Sequence, residues 1–385
     1  MSIRRIFVAP TGFKEYLSAP QTAAAIAAGI ARVLPGAAVE TLPLVDGGEG
    51  SAAALAEATG GRLVPVRVTG PVGDDVDAHF ALLGGDGPRT AVVEMAAAAG
   101  LSLVPRDRRD PGATTSFGVG QLISSALDHG AERILVGCGD SGVCDGGAGA
   151  LQALGARITD AMGDEIGRGG AALAEVESLD LSGLDPRLAG VPIRVAVNPH
   201  NLLCGERGVA RVFGPQKGAT EGQVEVLSAA MERWAKVLER DRRLDLREAP
   251  GSGASGGLGA GLAAGLGAQL LPRFEVMFDH VDLAEAIADA DLVFTGEGSI
   301  DFQTPRGKIP TEVARIAALH GVPVVALAGT IGDGAQLNYA AGIDAISAIL
   351  PAPLPLADAL DRAAEYLADA AERTVRLLLV GRSLA

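Results

Sequence analysis

At both ends of this chain, short apolar runs alternate with alanine-rich stretches of helical period, and no other feature restricts the fold as strongly. Residues 5–10 read as a buried strand, followed by a loop through Lys14 and a helix over 20–34, with Ser18 as its cap and Pro20 in its first turn. A second strand over 39–45 leads through a glycine-rich loop into an alanine-rich helix ending near 58. The alternation resumes at 282 with a helix to 288 and strands over 290–295, 323–328 and 344–349. Helices over 310–320 and 335–341 separate these strands, and a long helix starts at 356. Strands flanked in this way lie parallel and buried between helical layers. Two strands from the start and three from the end predict a five-stranded, doubly wound parallel sheet.

Between the two ends the pattern changes. Residues 62–70, 78–83 and 90–95 are strand-like runs separated by turn signals, which predicts antiparallel pairing. Helices over 118–129 and 147–154 then alternate with strands over 133–138 and 192–197, and an amphipathic helix over 222–243 carries the sole tryptophan, Trp234. Residues 251–267 are dominated by glycine and alanine. Leu258, Leu262 and Leu266 recur there every four residues, which predicts a closely packed helix rather than a linker. At 385 residues the chain is long for one core. The expected division is 1–60 with 275–385 as one α/β domain, and 61–274 as an inserted mixed α/β domain.

Aromatic residues make up only 3% of the chain, so its core must come from Ala, Val, Leu and Ile; many of the 53 glycines sit in discrete loops. A net charge of −15 without a polybasic stretch argues against a nucleic-acid binder. An anionic substrate would need local donors rather than the overall field. Cys138, Cys144 and Cys204 have neither CxxC spacing nor an even count, which predicts no disulfide, no zinc site and a reducing compartment. The first residues run straight into a strand without the features of a signal peptide, and no apolar run of about 20 residues follows. A cytoplasmic protein with no membrane partner is the expectation.

Four loop clusters carry polar chemistry, each just after a predicted strand, at the carboxyl edge where open α/β sheets bind ligands. In Pro10-Thr11-Gly12-Phe13-Lys14 a lysine can reach an anion in the crevice. Asp46-Gly47-Gly48-Glu49-Gly50-Ser51 frames two carboxylates with glycines, a set able to hold Mg2+ or accept a hydroxyl proton. The run from Gly137 to Gly149 offers successive backbone N–H groups ahead of a helix, an anion cradle. It lacks the Gly-Lys-Ser/Thr of a Walker A loop, and no clean GxGxxG follows the first strand, which argues against a dehydrogenase. Thr295-Gly296-Glu297-Gly298-Ser299-Ile300-Asp301, continuing to Gly307-Lys308, brings carboxylates and a lysine to the start of a helix. Taken singly, the first three loops equally allow a solvated lysine, a tight turn or a helix cap.

In this order the clusters resemble the type I glycerate kinase family over nearly the whole chain. The resemblance is carried by Phe13-Lys14-Glu15, Asp46-Gly47-Gly48-Glu49-Gly50, Glu94-Met95-Ala96-Ala97, Thr114-Thr115-Ser116-Phe117-Gly118 and Asp145-Gly146-Gly147-Ala148-Gly149. Its most specific string is Val212-Phe213-Gly214-Pro215-Gln216-Lys217-Gly218-Ala219, followed by Gly296-Glu297-Gly298 with Asp301, Gln303, Thr304, Gly307 and Lys308. The resemblance implies a flavodoxin-like domain formed by both chain ends, an inserted α/β domain, and an active site in the cleft. It also implies transfer of the γ-phosphoryl of ATP, with Mg2+, to D-glycerate, giving 2-phosphoglycerate.

Under that reading Lys14 and Lys308 bind anions, while Asp46, Glu49, Asp145 and Asp301 handle metal or proton, with Asp46 and Asp145 as the metal candidates. Gly47, Gly48, Asn201, Gly296, Glu297 and Ser299 are the expected substrate- or nucleotide-binding positions. The expected partners are the hydroxy acid and ATP, with a homodimer as the candidate assembly. Several positions depart from the family's usual pattern. Thr11-Gly12 replaces Asp-Ser, and Cys144 replaces Asn. Asn198 and His200 stand in a stretch usually richer in Asp, and Ser299 stands where Arg is usual. These changes keep open a kinase of another short hydroxy or hydroxy-keto acid, tetronate-like, and a non-catalytic ligand-binding homologue.

Overall fold

The computed structural model describes residues 3–13, 16–278, 283–305 and 307–384, so Lys14 lies outside the described residues. The chain forms two compact units, Met1–Val45 with Phe278–Ala385, and Asp46–Met277. Against the expected boundaries at 60 and 275, the helix Ser51–Thr59 goes with the second unit.

Among its described residues the first unit holds a five-stranded parallel sheet in the order Ala345–Ala348, Val324–Ile331, Leu292–Ile300, Arg5–Val8, Ala38–Thr41. Numbered within the unit from the opposite edge this is 2-1-3-4-5, the flavodoxin-like order. Ile6 lies opposite Leu292 and Val8 opposite Phe294. Ile6, Phe7 and Val8 are all buried, so neither face of the strand meets water. The helix Ala19–Ala31 starts as expected: Ser18 Oγ accepts from Gln21 N–H and Gln21 Oε1 accepts from Ser18 N–H, a reciprocal cap. It packs against Ala363–Leu384, and at Gly29 a Cβ would stand 2.0 Å from the Ala368 carbonyl oxygen, so only glycine permits this approach. The expected single C-terminal helix is interrupted at Arg362, giving Leu356–Asp361 and Ala363–Leu384.

The second unit's main sheet runs Gln269–Pro272, Ile193–Val197, Arg133–Gly137, Thr90–Glu94, Asp75–Leu82, Arg62–Thr69. Thr90–Glu94 corrects one expectation: it is antiparallel to Asp75–Leu82 but parallel to Arg133–Gly137. All five of its residues are buried, as befits a strand covered on both faces. The strand Gln269–Pro272 and the small hairpin of Arg157–Thr159 with Ser178–Asp180 were not foreseen, being too short to show a period. The glycine–alanine segment Ala254–Leu266 is buried and helical beyond a left-handed kink at Ser255, Gly256 and Gly257, with Leu258 and Leu262 inaccessible to solvent. At Gly261 a Cβ would come within 2.6 Å of the Gly146 carbonyl, so the small residues serve close packing. No described helix is long and apolar enough to cross a membrane.

Candidate active site

In the first unit, the sheet order places the carboxyl ends of Arg5–Val8 and Leu292–Ile300 side by side, with the next strand in sequence on the far side. This is the switch point at which such sheets bind ligands. Backbone and side chain of Thr11 tie the two ends together: Thr11 N–H and Thr11 Oγ1 both donate to the Gly296 carbonyl, at 2.9 and 3.1 Å. Beyond Gly296 the strand continues and delivers Glu297, Ser299 and then Asp301.

Lys308 sits at the N-cap of the helix Ile309–His320, and its ammonium collects the acidic groups. It lies 3.2 Å from Glu297 Oε1 and 4.0 Å from Asp301 Oδ1, and donates to the Ser299 carbonyl at 3.3 Å. Lys308 keeps a quarter of its side chain exposed, 25%, so the cluster remains open to a ligand. Asp301 is held by Gln303 N–H, which donates to Oδ1 at 2.8 Å, and by Ser299 Oγ, which donates to Oδ2 at 3.4 Å. Four expected residues, Glu297, Ser299, Asp301 and Lys308, thus converge at one helix N-terminus, adjoining Gly296.

The second unit supplies the loop Asp46–Ser51. Gly47 has φ +82° and Gly50 φ +89°, which glycine adopts without strain. At Gly48 a Cβ would fall 2.4 Å from Asp140 Oδ2, so the loop lies directly against the glycine-rich run after Arg133–Gly137. Asp140 accepts from Glu49 N–H at 3.2 Å and itself holds φ +50°, a left-handed conformation costly for a non-glycine residue. Asp46 Oδ1 accepts from Gly48 N–H at 3.0 Å, and its Oδ2 pairs with Arg273 Nη1 at 3.2 Å. Glu49 is exposed and accepts from Ser102 Oγ at 3.4 Å.

Asp145 has a different environment from the one its motif suggested. It is fully buried, and its carboxylate accepts from Ser116 N–H at 2.7 Å, Ser116 Oγ at 2.9 Å, Thr115 Oγ1 at 3.4 Å and Gly147 N–H at 3.2 Å. Burial pushes its pKa up, against the pull of the Ser116 and Gly147 donors. Such a group fastens the 145–149 loop to the start of the helix Phe117–Asp128. Asn201 is part-buried, with its carbonyl accepting from Gly253 N–H at 3.1 Å. Nearby, Asn198 Oδ1 accepts from His200 N–H at 3.0 Å, a local turn. All three cysteines are buried free thiols; burial raises Cys138 to about 12, Cys144 to about 11 and Cys204 to about 12, which suits packing rather than nucleophilic attack.

Sequence reasoning did not nominate Glu94, Asp140, Lys217 or Arg273. Lys217 belongs to the most specific string, yet it is buried and donates to Ser141 Oγ at 2.8 Å and to the Val143 carbonyl at 2.6 Å. Burial lowers its pKa. It braces the glycine-rich run from below, a role visible only once the helix and loop are packed. Glu94 ends a buried strand, and its carboxylate accepts from Gly50 N–H and Ala52 N–H, capping the helix Ser51–Thr59. Burial raises Glu94 to about 7, with Glu49 and Asp140 adding to the effect and the two N–H donors opposing it.

The consequence of the Glu94 shift is testable. Between about pH 4.5 and 7 the folded chain binds a proton at Glu94 that the unfolded chain has lost. Stability therefore falls as pH rises through this range, by about 3 kcal/mol in all. Urea unfolding of the parent and of Glu94→Gln at pH 5 and pH 8 checks this: the parent should lose that much more stability than the variant, whereas equal losses would refute it.

Among the described residues no group of three or more His, Cys, Asp or Glu side chains is placed to hold a metal ion. Mg2+ commonly uses only one or two carboxylates together with substrate phosphates. The open carboxylates Asp46, Glu49 and Asp301 fit that requirement, while the enclosed Asp145 does not.

A two-unit α/β chain with glycine-rich loops and a lysine–carboxylate cluster at a sheet switch point is equipped to hold an anionic ligand such as a phosphate, and the relatives below make it a phosphotransferase with an alcohol group as acceptor. Comparison with known proteins agrees. A model of the "Glycerate kinase family" matches residues 6–379. The glycerate kinase of Bacillus subtilis (strain 168) is 47% identical over 99% of this chain and 98% of its own. The glycerate 2-kinase of Escherichia coli (strain K12) is 43% identical over 98% of both chains. The crystal structure of the "putative glycerate kinase 2" from Salmonella typhimurium LT2 superposes with a TM-score of 0.81 at 45% identity, covering 99% of this chain and all of that one. The chain belongs to the glycerate kinase family, and it is a kinase of a small molecule.

Proposed function

We propose that this chain transfers the γ-phosphoryl group of ATP to the 2-hydroxyl of D-glycerate, giving 2-phosphoglycerate. The observation that carries the reading is the Lys308 cluster at the switch point, in a chain similar along nearly its whole length to a glycerate 2-kinase. Phosphoryl transfer asks a protein mainly to align the reacting groups and to neutralise charge. Lys308 stabilises the equatorial oxygens of the transferring group, and Lys14 is the second anion-binding group. Glu297 and Asp301 hold the Lys308 ammonium in position. Gly47 and Gly48 let the Asp46–Ser51 loop pack against the glycine-rich run and present its backbone N–H groups. Asp46, Glu49 and Asp301 are the carboxylates open to handle the metal and the hydroxyl proton. Mg2+ on the nucleotide phosphates would supply further charge neutralisation. Asp145 shapes its loop rather than touching the reacting atoms, and Asn201 remains a candidate contact to the substrate or nucleotide.

The test is ADP release by the purified chain with ATP, Mg2+ and a panel of three- and four-carbon hydroxy acids, with the product identified by 31P NMR. D-glycerate should give the highest kcat/KM and a phosphate on C2. A higher value for a four-carbon acid would move the assignment to the tetronate-like alternative, in keeping with Ser299 where Arg is usual. Tight binding of an acid without ADP release would make the chain a binding homologue.

A further inference from the structure

Arg273 opens the short helix Arg273–Met277, directly after the strand Gln269–Pro272 at the carboxyl edge of the second unit's parallel strands. Its Nη1 donates to Asp46 Oδ2 at 3.2 Å, and its positive charge is felt at the Cys138 thiol in the adjacent glycine-rich run. The side chain is only 14% exposed, and its Nε is buried with no hydrogen-bond partner among the described residues. A guanidinium presents its five N–H groups as a rigid fork, and buried donors of this kind are rarely left unmet. Asp46 occupies one corner of the fork. The side formed by Nε and Nη2 is the geometry that receives a carboxylate through two parallel hydrogen bonds. In a chain of net charge −15 an acid must be held by such a local donor. In the proposed reaction Lys308 of the first unit serves the transferring phosphoryl group, which leaves the carboxylate of the acid to another donor.

We propose that the Nε/Nη2 side of Arg273 recognises the carboxylate of the acid substrate, while Asp46 fixes the guanidinium through Nη1. This rests on the reading of the chain as a kinase of a small hydroxy acid. It makes Arg273 the residue that requires the substrate to be an acid.

The experiment compares the parent, Arg273→Met and Arg273→Lys with D-glycerate, with its neutral amide and with ATP. Loss of a bidentate, charge-assisted contact should raise KM for D-glycerate about 10- to 100-fold, leave KM for ATP within about twofold, and narrow the preference for acid over amide. Arg273→Lys separates recognition from support. Lysine can still pair with Asp46 but lacks the fork, so KM for the acid should stay raised although thermal stability is restored. An unchanged KM for D-glycerate, full rescue by lysine, or a rise in KM for ATP alone would each overturn the proposal, the last pointing to a nucleotide phosphate as the anion held. If the parent turns over no acid, the kinase reading fails separately. Calorimetric binding of D-glycerate to parent and Arg273→Met then decides this point: binding lost in the variant sustains the assignment, and equal or absent binding in both refutes it.

Discussion

Replacing Lys308 with methionine will lower kcat/KM for phosphoryl transfer by about 10²–10³-fold, the loss typical when one electrostatic donor is removed from a transition state. The argument starts from the position of the ammonium, which lies 3.2 Å from Glu297 and 4.0 Å from Asp301 at the start of the helix Ile309–His320. Methionine keeps the length of the side chain and removes the charge. It leaves two carboxylates facing one another without their shared cation, so an incoming phosphate would meet net repulsion. Because Lys308 is partly exposed, the fold should survive, with far-UV circular dichroism unchanged. The fall should appear in kcat more than in KM for the acid, since the interaction strengthens as charge develops on the transferring group. A variant with kcat/KM within about threefold of the parent would remove Lys308 from the reaction.

Asp145→Ala will act on stability instead, lowering it by about 3–5 kcal/mol. Its carboxylate accepts four hydrogen bonds, from Ser116 N–H, Ser116 Oγ, Thr115 Oγ1 and Gly147 N–H, in a site without solvent access. Alanine leaves these donors buried and unpaired, and each such donor costs about 1–3 kcal/mol, reduced where the loop can relax. Asp145→Asn should be milder, since its amide oxygen still accepts while its NH2 group opposes another donor. Urea unfolding of the three proteins at neutral pH measures the order. A destabilisation below about 1 kcal/mol for Asp145→Ala would refute the enclosed, load-sharing role and return Asp145 to the open carboxylates.

The two residues differ in how far their roles could be read from sequence. Lys308 stands in one loop span with Glu297, Ser299 and Asp301, so short-range spacing already brought them together, and the structure places them within reach. Asp145 looked identical in kind to Asp46, a carboxylate beside paired glycines. Only packing separates them: Asp145 is wrapped by Thr115 and Ser116, about thirty residues earlier in the chain, whereas Asp46 stays part-exposed beside Arg273. Glu94 and Lys217 were invisible as participants for the same reason. Each reaches its loop across the fold, Glu94 to Gly50 and Ala52, Lys217 to Ser141 and Val143.

The sequence alone determined the alternation of strands and helices at the two ends, and with it the five-stranded parallel sheet whose carboxyl edge carries the loops. Hydrophobic period, caps and glycine positions are local properties, and they act through neighbours a few residues apart. Tertiary structure decided the rest: that Thr90–Glu94 turns the middle sheet from antiparallel to parallel, and which carboxylates remain open. Those outcomes depend on burial and on partners far away in sequence. A charged group's chemistry follows from what surrounds it, and spacing along the chain does not record that surrounding.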